Sequence, residues 1–253
     1  MRRALLLHGF TGAGSSWSPL TASLNFEADC PDLPGHLDAA LPARSGRLGF
    51  DATIEALAAA ITTPTMVVGY SQGARLALAL AVRHAAKVSR LILESGTPGL
   101  IRHHDRALRQ AEDEARAVQI ETEGVEAFIR DWERLPLFKG IPHSDALNAR
   151  RRSHSPQGLA GALRCMGLGV QPSFWSDLPQ LRVPTLLITG ANDAKFTAIA
   201  RKMAAELTLG WHVIVPTAGH AVHLEAPEDW VREVRDFAQA VFSHEYQQEE
   251  QRP

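Results

Sequence analysis

Five consecutive residues, Gly69-Tyr70-Ser71-Gln72-Gly73, constrain this chain more than any others. They stand between an apolar run, residues 64–68, and an alanine- and leucine-rich run, residues 74–82. That order reads as strand, tight turn, helix, and it is the context in which G-x-S-x-G presents a nucleophile. A backbone that reverses between a packed strand and a packed helix has no room for side chains at either end of the turn. The serine between them is held in a strained conformation, its hydroxyl at a helix N-terminus. The competing reading, an ordinary glycine turn, is disfavoured by these flanks.

Short apolar runs alternate with helical stretches on either side of the motif. Residues 4–7, 26–30, 65–68, 91–94, 185–189 and 212–215 read as strands; residues 15–24, 50–62, 74–84, 198–207 and 228–242 read as helices. Asp51 is read as the cap of the second helix. Alternation of this kind implies a parallel sheet covered on both faces, an α/β fold. Residues 97–175 break the pattern. They hold 11 Lys/Arg against 10 Asp/Glu, carry no convincing strand, and are punctuated by Pro136, Pro142, Pro156 and Pro172. They read as amphipathic helices inserted between two strands as a lid, with 1–96 and 176–253 forming the core. The polar tail from His244 to Pro253 is expected to fray.

A serine hydroxyl becomes a useful nucleophile or base only when a histidine takes its proton, and that histidine needs a carboxylate to fix its tautomer. In this chain order the acid and the histidine belong on loops after later strands. Asp193 follows the strand at 185–189, and His220 follows the strand at 212–215. Glu94 and Asp177 fit that logic less well. The oxyanion donors are expected to be the backbone N–H groups of Gln72 and of Phe10, the latter in the glycine-rich loop His8-Gly9-Phe10-Thr11-Gly12. His103, His104, His143 and His154 lack metal-ligand spacing, and no dinucleotide fingerprint or Walker loop is present, so no cofactor or metal is expected. A net charge of −2 gives no reason to expect nucleic acid or an anionic membrane as partner. The apolar run after Met1-Arg2-Arg3 is too short for a signal peptide, no run reaches transmembrane length, and Cys30 and Cys165 read as reduced thiols; a cytoplasmic location is expected.

With these features in place, the whole chain resembles the α/β-hydrolase superfamily. Several stretches resemble the 2-succinyl-6-hydroxy-2,4-cyclohexadiene-1-carboxylate synthase family within it. They include Leu7 to Gly12, Asp32-Leu33-Pro34-Gly35-His36, Ser71-Gln72-Gly73-Ala74-Arg75, and Glu94-Ser95-Gly96-Thr97-Pro98-Gly99-Leu100. Asp131-Trp132 with Pro136-Leu137-Phe138, Gly190 to Phe196, and Gly219-His220-Ala221-Val222-His223 complete the set. The resemblance implies a pyruvate-eliminating lyase of menaquinone biosynthesis, with Ser71 acting as a base through His220. It also implies a small substrate bearing three carboxylates, gripped by Arg75, Arg109 and Arg152, with Tyr70, Trp132 and Lys195 at further substrate-binding positions. Arginine suits that task because its planar fork matches a carboxylate. The competing reading of Arg75 is a solvated helix face; Arg109 and Arg152 stand among neighbouring arginines that leave their alignment open. The family often carries a tyrosine after the tryptophan, where this chain has Glu133. Two other readings use the same framework: a serine hydrolase (esterase, thioesterase or carbon–carbon bond hydrolase), and a ligand-binding receptor without activity. A monomer or small homo-oligomer is expected.

Overall fold

The computed structural model describes the backbone of residues 3–142 and 144–250, and side chains as far as Gln239. Six strands, β1 (Arg3–Leu7), β2 (Glu27–Asp29), β3 (Thr65–Tyr70), β4 (Val88–Glu94), β5 (Thr185–Gly190) and β6 (Gly210–Val215), form one sheet. Their order is β2-β1-β3-β4-β5-β6 and every pair is parallel. The inner strands are buried along almost their whole length, as a sheet covered on both faces requires. Side-chain alternation splits them between two cores. Leu5, Leu7, Val67, Leu91, Leu93 and Leu187 face one side. Ala4, Leu6, Val68, Ile92, Leu186 and Ile188 face the other, packed beneath Trp17 and Trp230. Each large aliphatic side chain buried in this way contributes about 1.5–3 kcal/mol.

The helices are α1 (Ser18–Thr21), α2 (Gly46–Ala60), α3 (Gln72–Arg83), α4 (His103–Glu123), α5 (Val125–Trp132), α6 (Asp145–Arg152), α7 (Pro156–Met166), α8 (Ala194–Glu206), α9 (Val222–Glu225) and α10 (Pro227–Glu250). Between β4 and β5 the described chain is helical, as its sequence suggests. Ala117, Ile120, Phe128, Ile129, Leu159 and Leu163 give these helices a core of their own, against which Phe10 and Trp132 pack. The sheet's loops and this helical layer therefore meet at Phe10.

Three local expectations change. The stretch at 15–24 is a 3-10 turn, Gly14–Trp17, followed by the single turn α1. Helix α2 begins at Gly46, so Asp51 is an interior residue; its carboxylate accepts from Arg47 and Arg83 rather than capping the helix. Gly46 and Gly49 obscure that first turn in the sequence. Gly49 has no room for a side chain: an added Cβ would run into the Arg44 carbonyl oxygen and come within 3.0 Å of Cys165 Sγ on α7. Finally, α8 starts at Ala194, four residues before its expected beginning, because Asp193 caps it by accepting the Phe196 N–H at 3.1 Å. The backbone of the tail from His244 belongs to α10 as far as Glu250; its side chains, and residues 251–253 entirely, lie outside the described residues.

Candidate active site

Ser71 leaves β3 with φ +50° and ψ −104°, strained for a residue with a Cβ. The flanking glycines are steric necessities. A Cβ on Gly73 would run into the backbone of Leu7 and His8, and one on Gly69 into the backbone of Gly73 and Ala74. The Ser71 N–H is held by the Glu94 carbonyl at 2.9 Å, which ties the turn to the end of β4.

The expected acid and histidine converge on this serine. The His220 Nδ1–H donates to Asp193 Oδ2 at 2.7 Å, and the Ser71 hydroxyl donates to His220 Nε2 at 3.1 Å. A carboxylate acceptor fixes the tautomer, leaving Nε2 free to take the serine proton. His220 is 1% exposed and Asp193 6%. Asp193 thus serves two donors, the imidazole through Oδ2 and the α8 N-terminus through Oδ1. Glu94 makes a separate pair: it is fully buried, and its Oε1 accepts from the Nδ1–H of His223 at 2.8 Å and from the His223 N–H at 3.1 Å. The His223 ring then meets Tyr70 edge-on at 4.6 Å.

Two cavities share Ser71, Phe10, Trp132 and Phe138 in their walls. The smaller, about 530 Å³, is bordered by His8, Gly12, Tyr70, Arg151 and His223 among others. The larger, about 890 Å³, is bordered by Gln72, Arg75, Ser95, Arg109, Arg116 and Lys195 among others, together with His220. No acidic side chain lines it among the described residues. Arg75 is 9% exposed, which removes the solvated-face reading; it donates to Gln171 Oε1 and to the Met166 carbonyl, each at 2.8 Å. Burial, with Arg109 nearby, brings its guanidinium down to about 10, still charged at neutral pH. Arg109 and Arg116 share the buried carboxylate of Asp113. Gln72 is the first residue of α3, where an N–H has no acceptor within its own helix. Trp132 presents a buried Nε1–H without a partner among the described residues.

Arg152 is the one expected binding residue absent from both linings. It is over a third exposed and lies 3.8 Å from Glu133. Its neighbour Arg151 borders the smaller cavity instead and donates to Glu133 Oε1 at 3.1 Å. One residue along a helix turns a side chain by about 100°, so alignment across three consecutive arginines could not choose between them. Glu133, the residue after Trp132, is thus the carboxylate that engages Arg151.

A histidine cluster behind the glycine loop joins His8 and His36, each from a stretch singled out in the sequence, to His154 from the helical layer. His8 accepts the Leu33 N–H at Nε2 and donates to the Gly9 carbonyl. His154, from the loop before α7, accepts the Leu37 N–H and donates to the Thr11 carbonyl. Thr11 and Leu37 are two of the few non-glycine residues with positive φ, so His154 pins both strained loops to the helical layer. His36 stands edge-on between the other two rings, 4.8 Å from His8 and 5.3 Å from His154. Burial lowers all three, His8 to about 4.

A parallel sheet with a strained serine, a histidine and an aspartate at its carboxyl edge defines an α/β-hydrolase-type enzyme. The profile of the alpha/beta hydrolase family matches residues 4–234. A Bacillus subtilis (strain 168) protein is 36% identical over 248 residues, 93% of this chain and 89% of that one. A 2-succinyl-6-hydroxy-2,4-cyclohexadiene-1-carboxylate synthase from Enterobacter sp. (strain 638) is 35% identical over 233 residues, covering 88% of this chain and 86% of its own. The structure of MenH from S. aureus superposes with a TM-score of 0.87 at 30% identity, over 94% of both chains. The chain belongs to the 2-succinyl-6-hydroxy-2,4-cyclohexadiene-1-carboxylate synthase family of α/β-hydrolase-fold enzymes.

Among the described residues no helix is long and apolar enough to cross a membrane, and no group of three His, Cys, Asp or Glu side chains could hold a metal ion. His143 is outside the described residues. Cys30 and Cys165 are free thiols.

Proposed function

We propose that this protein is a carbon–oxygen lyase that eliminates pyruvate from 2-succinyl-5-enolpyruvyl-6-hydroxy-3-cyclohexene-1-carboxylate, giving 2-succinyl-6-hydroxy-2,4-cyclohexadiene-1-carboxylate for menaquinone synthesis. The observation that carries this reading is the larger cavity: the serine–histidine pair opens onto a space bordered by Arg75, Arg109, Arg116 and Lys195. Cations gathered around one reacting centre suit a substrate with several carboxylates, and the family membership supplies the reaction.

In this reaction Ser71, its proton held by His220, removes the ring proton beside the succinyl ketone. The C–H electron pair moves into an extended enolate, and charge collects on the ketone oxygen. The Phe10 and Gln72 amides stabilise that oxygen. The electrons then return through the ring and expel the enolpyruvyl oxygen; the proton on His220 passes back to the departing group, which leaves as pyruvate. The ring carbon–oxygen bond breaks and a ring double bond forms, so no water is consumed and no acyl-serine is needed. Asp193 holds the imidazole in the tautomer that both proton transfers use. Arg75, Arg109 and Lys195 grip carboxylates, Trp132 offers its N–H, Tyr70 walls the smaller cavity, and Arg151, which borders that cavity, takes the role that the family resemblance gives to Arg152. The helices from residue 97 to 175 form the lid that keeps water from the enolate. The enzyme is cytoplasmic and acts as a monomer or small homo-oligomer.

A coupled pyruvate assay tests the reading. Efficient pyruvate release from the enolpyruvyl substrate, with poor turnover of p-nitrophenyl esters, is expected. Strong esterase activity without pyruvate release would make the protein a hydrolase on the same framework.

A further inference from the structure

The chain leaves two adjacent strands in the same unusual way. Ser71 after β3 and Ser95 after β4 both have φ +50°. The two are neighbours, because the Ser71 N–H donates to the carbonyl of Glu94, the residue just before Ser95. For Ser71 the strain is explained by the nucleophile turn. For Ser95 nothing in the established machinery explains it, and glycine would take this conformation without a side-chain penalty.

Three further observations converge on Ser95. It is fully buried. Its hydroxyl has no hydrogen-bond partner among the described residues, which is costly for a buried polar group. It also borders the larger cavity, alongside Ser71, Gln72 and Arg75. The backbone around it is held firmly. The Ser95 N–H donates to the Ile188 carbonyl at 3.0 Å, and Gly96 sits so close to Ala74 that an added Cβ would come within 2.7 Å of the Ala74 Cβ. Ser95 is therefore held between β5 and the first turn of α3, and it shares the cavity wall with Arg75. A strained, buried, unpartnered hydroxyl on a cavity wall is what a preorganised ligand contact looks like before its ligand arrives.

We propose that Ser95 is a substrate-contacting specificity residue: its hydroxyl donates a hydrogen bond to a carboxylate or ketone oxygen of the substrate's acidic side arm as that arm lies against Arg75. Arg75 supplies the charge and Ser95 a neutral, directional donor that an arm lacking the oxygen would leave unpaired. This assignment rests on the lyase reading for the identity of the arm, but its test can be separated from that reading.

The experiment compares wild type with Ser95→Ala and Ser95→Gly. Both variants lack the hydroxyl, but glycine also releases the backbone strain, so an effect of strain separates the two and an effect of the hydroxyl does not. Thermal melts establish that each is folded; if alanine compromises folding, glycine carries the test. Calorimetric binding of 4-oxo-4-phenylbutanoate, a ring bearing a succinyl arm, is measured beside kcat/KM for pyruvate release. Both variants are expected to bind the probe about tenfold more weakly and to lose about tenfold in kcat/KM. Binding and kcat/KM within twofold of wild type in both variants would overturn the assignment, as a hydroxyl that merely holds a water would behave that way. So would a loss in alanine that glycine restores. A wild type that releases no pyruvate but binds the probe through Ser95 would overturn the lyase reading and keep the contact. One that releases pyruvate with both variants unimpaired would do the reverse.

Discussion

Replacing Arg75 separates substrate recognition from support of the fold. Its guanidinium has five N–H donors, of which one goes to Gln171 and one to Met166, leaving others for the cavity it borders. A two-pronged, charge-assisted contact with a substrate carboxylate is worth about 3 kcal/mol, so Arg75→Ala should lower kcat/KM about a hundredfold. Lysine offers a point charge in place of the fork and should recover only about tenfold of that loss. Alanine also leaves the Met166 carbonyl and Gln171 without their donor, at about 1–3 kcal/mol each. Relief from burying the guanidinium offsets part of that cost. Urea unfolding of each variant therefore accompanies the kinetics. The assay compares pyruvate release from the anionic substrate with the slow hydrolysis of p-nitrophenyl acetate, which has no carboxylate to grip. A much larger loss on the anionic substrate is expected. Equal losses on both would show that Arg75 props the serine turn instead of holding substrate.

The triad gives a second expectation: Ser71→Ala and His220→Ala should each cut turnover by about 10³ or more, and Asp193→Asn should be comparably severe, read in the pyruvate assay. Near wild-type turnover in Ser71→Ala would remove the serine from the mechanism. The buried histidines give a pH dependence. Burial holds His8 near 4 and His36 well below its ordinary 6.5, so between about pH 6.5 and 4 the unfolded chain binds more protons and stability falls as pH falls. His8 alone accounts for about 3 kcal/mol across that window; a urea midpoint unchanged between pH 7 and 5 would contradict it. Gly73→Ala should cost about 3 kcal/mol or more, because its Cβ meets the backbone of Leu7 and His8. Gly124→Ala meets no neighbouring atom, and its strain comes from the backbone alone: φ +85° with ψ 163° is a conformation all but reserved for glycine, at a cost of about 2 kcal/mol. Equal urea stabilities for the two would mean that the serine turn is not packed so closely.

The reacting centre was legible in the sequence because each of its members follows a strand, and a strand's end fixes a residue's place in a parallel sheet. Ser71, Asp193 and His220 come together for that reason. The helical layer was legible as helix but not in detail. Its arginines are consecutive, and which one faces inward depends on a rotation that packing decides, so Arg151 rather than Arg152 reaches a cavity. Asp51 looked like a cap because the glycines before it hide a helical turn that contacts with α7 stabilise. Ser95 lies within a family-like stretch and His154 within the helical interval, but neither position reveals locally what surrounds the side chain. Their environments are made by contacts between residues far apart in the chain: Ser95 with β5 and α3, His154 with Thr11 and Leu37.

In the proposed lyase reaction Ser71 borrows a proton and forms no bond to carbon. Pyruvate and the ultraviolet absorbance of the conjugated diene can be followed together during turnover, with intact-protein mass spectrometry on quenched samples. Pyruvate and diene appearing one for one, with the protein mass unchanged throughout, is the expected result. A substrate-derived mass increment that is lost in Ser71→Ala, or pyruvate appearing without diene, would contradict it.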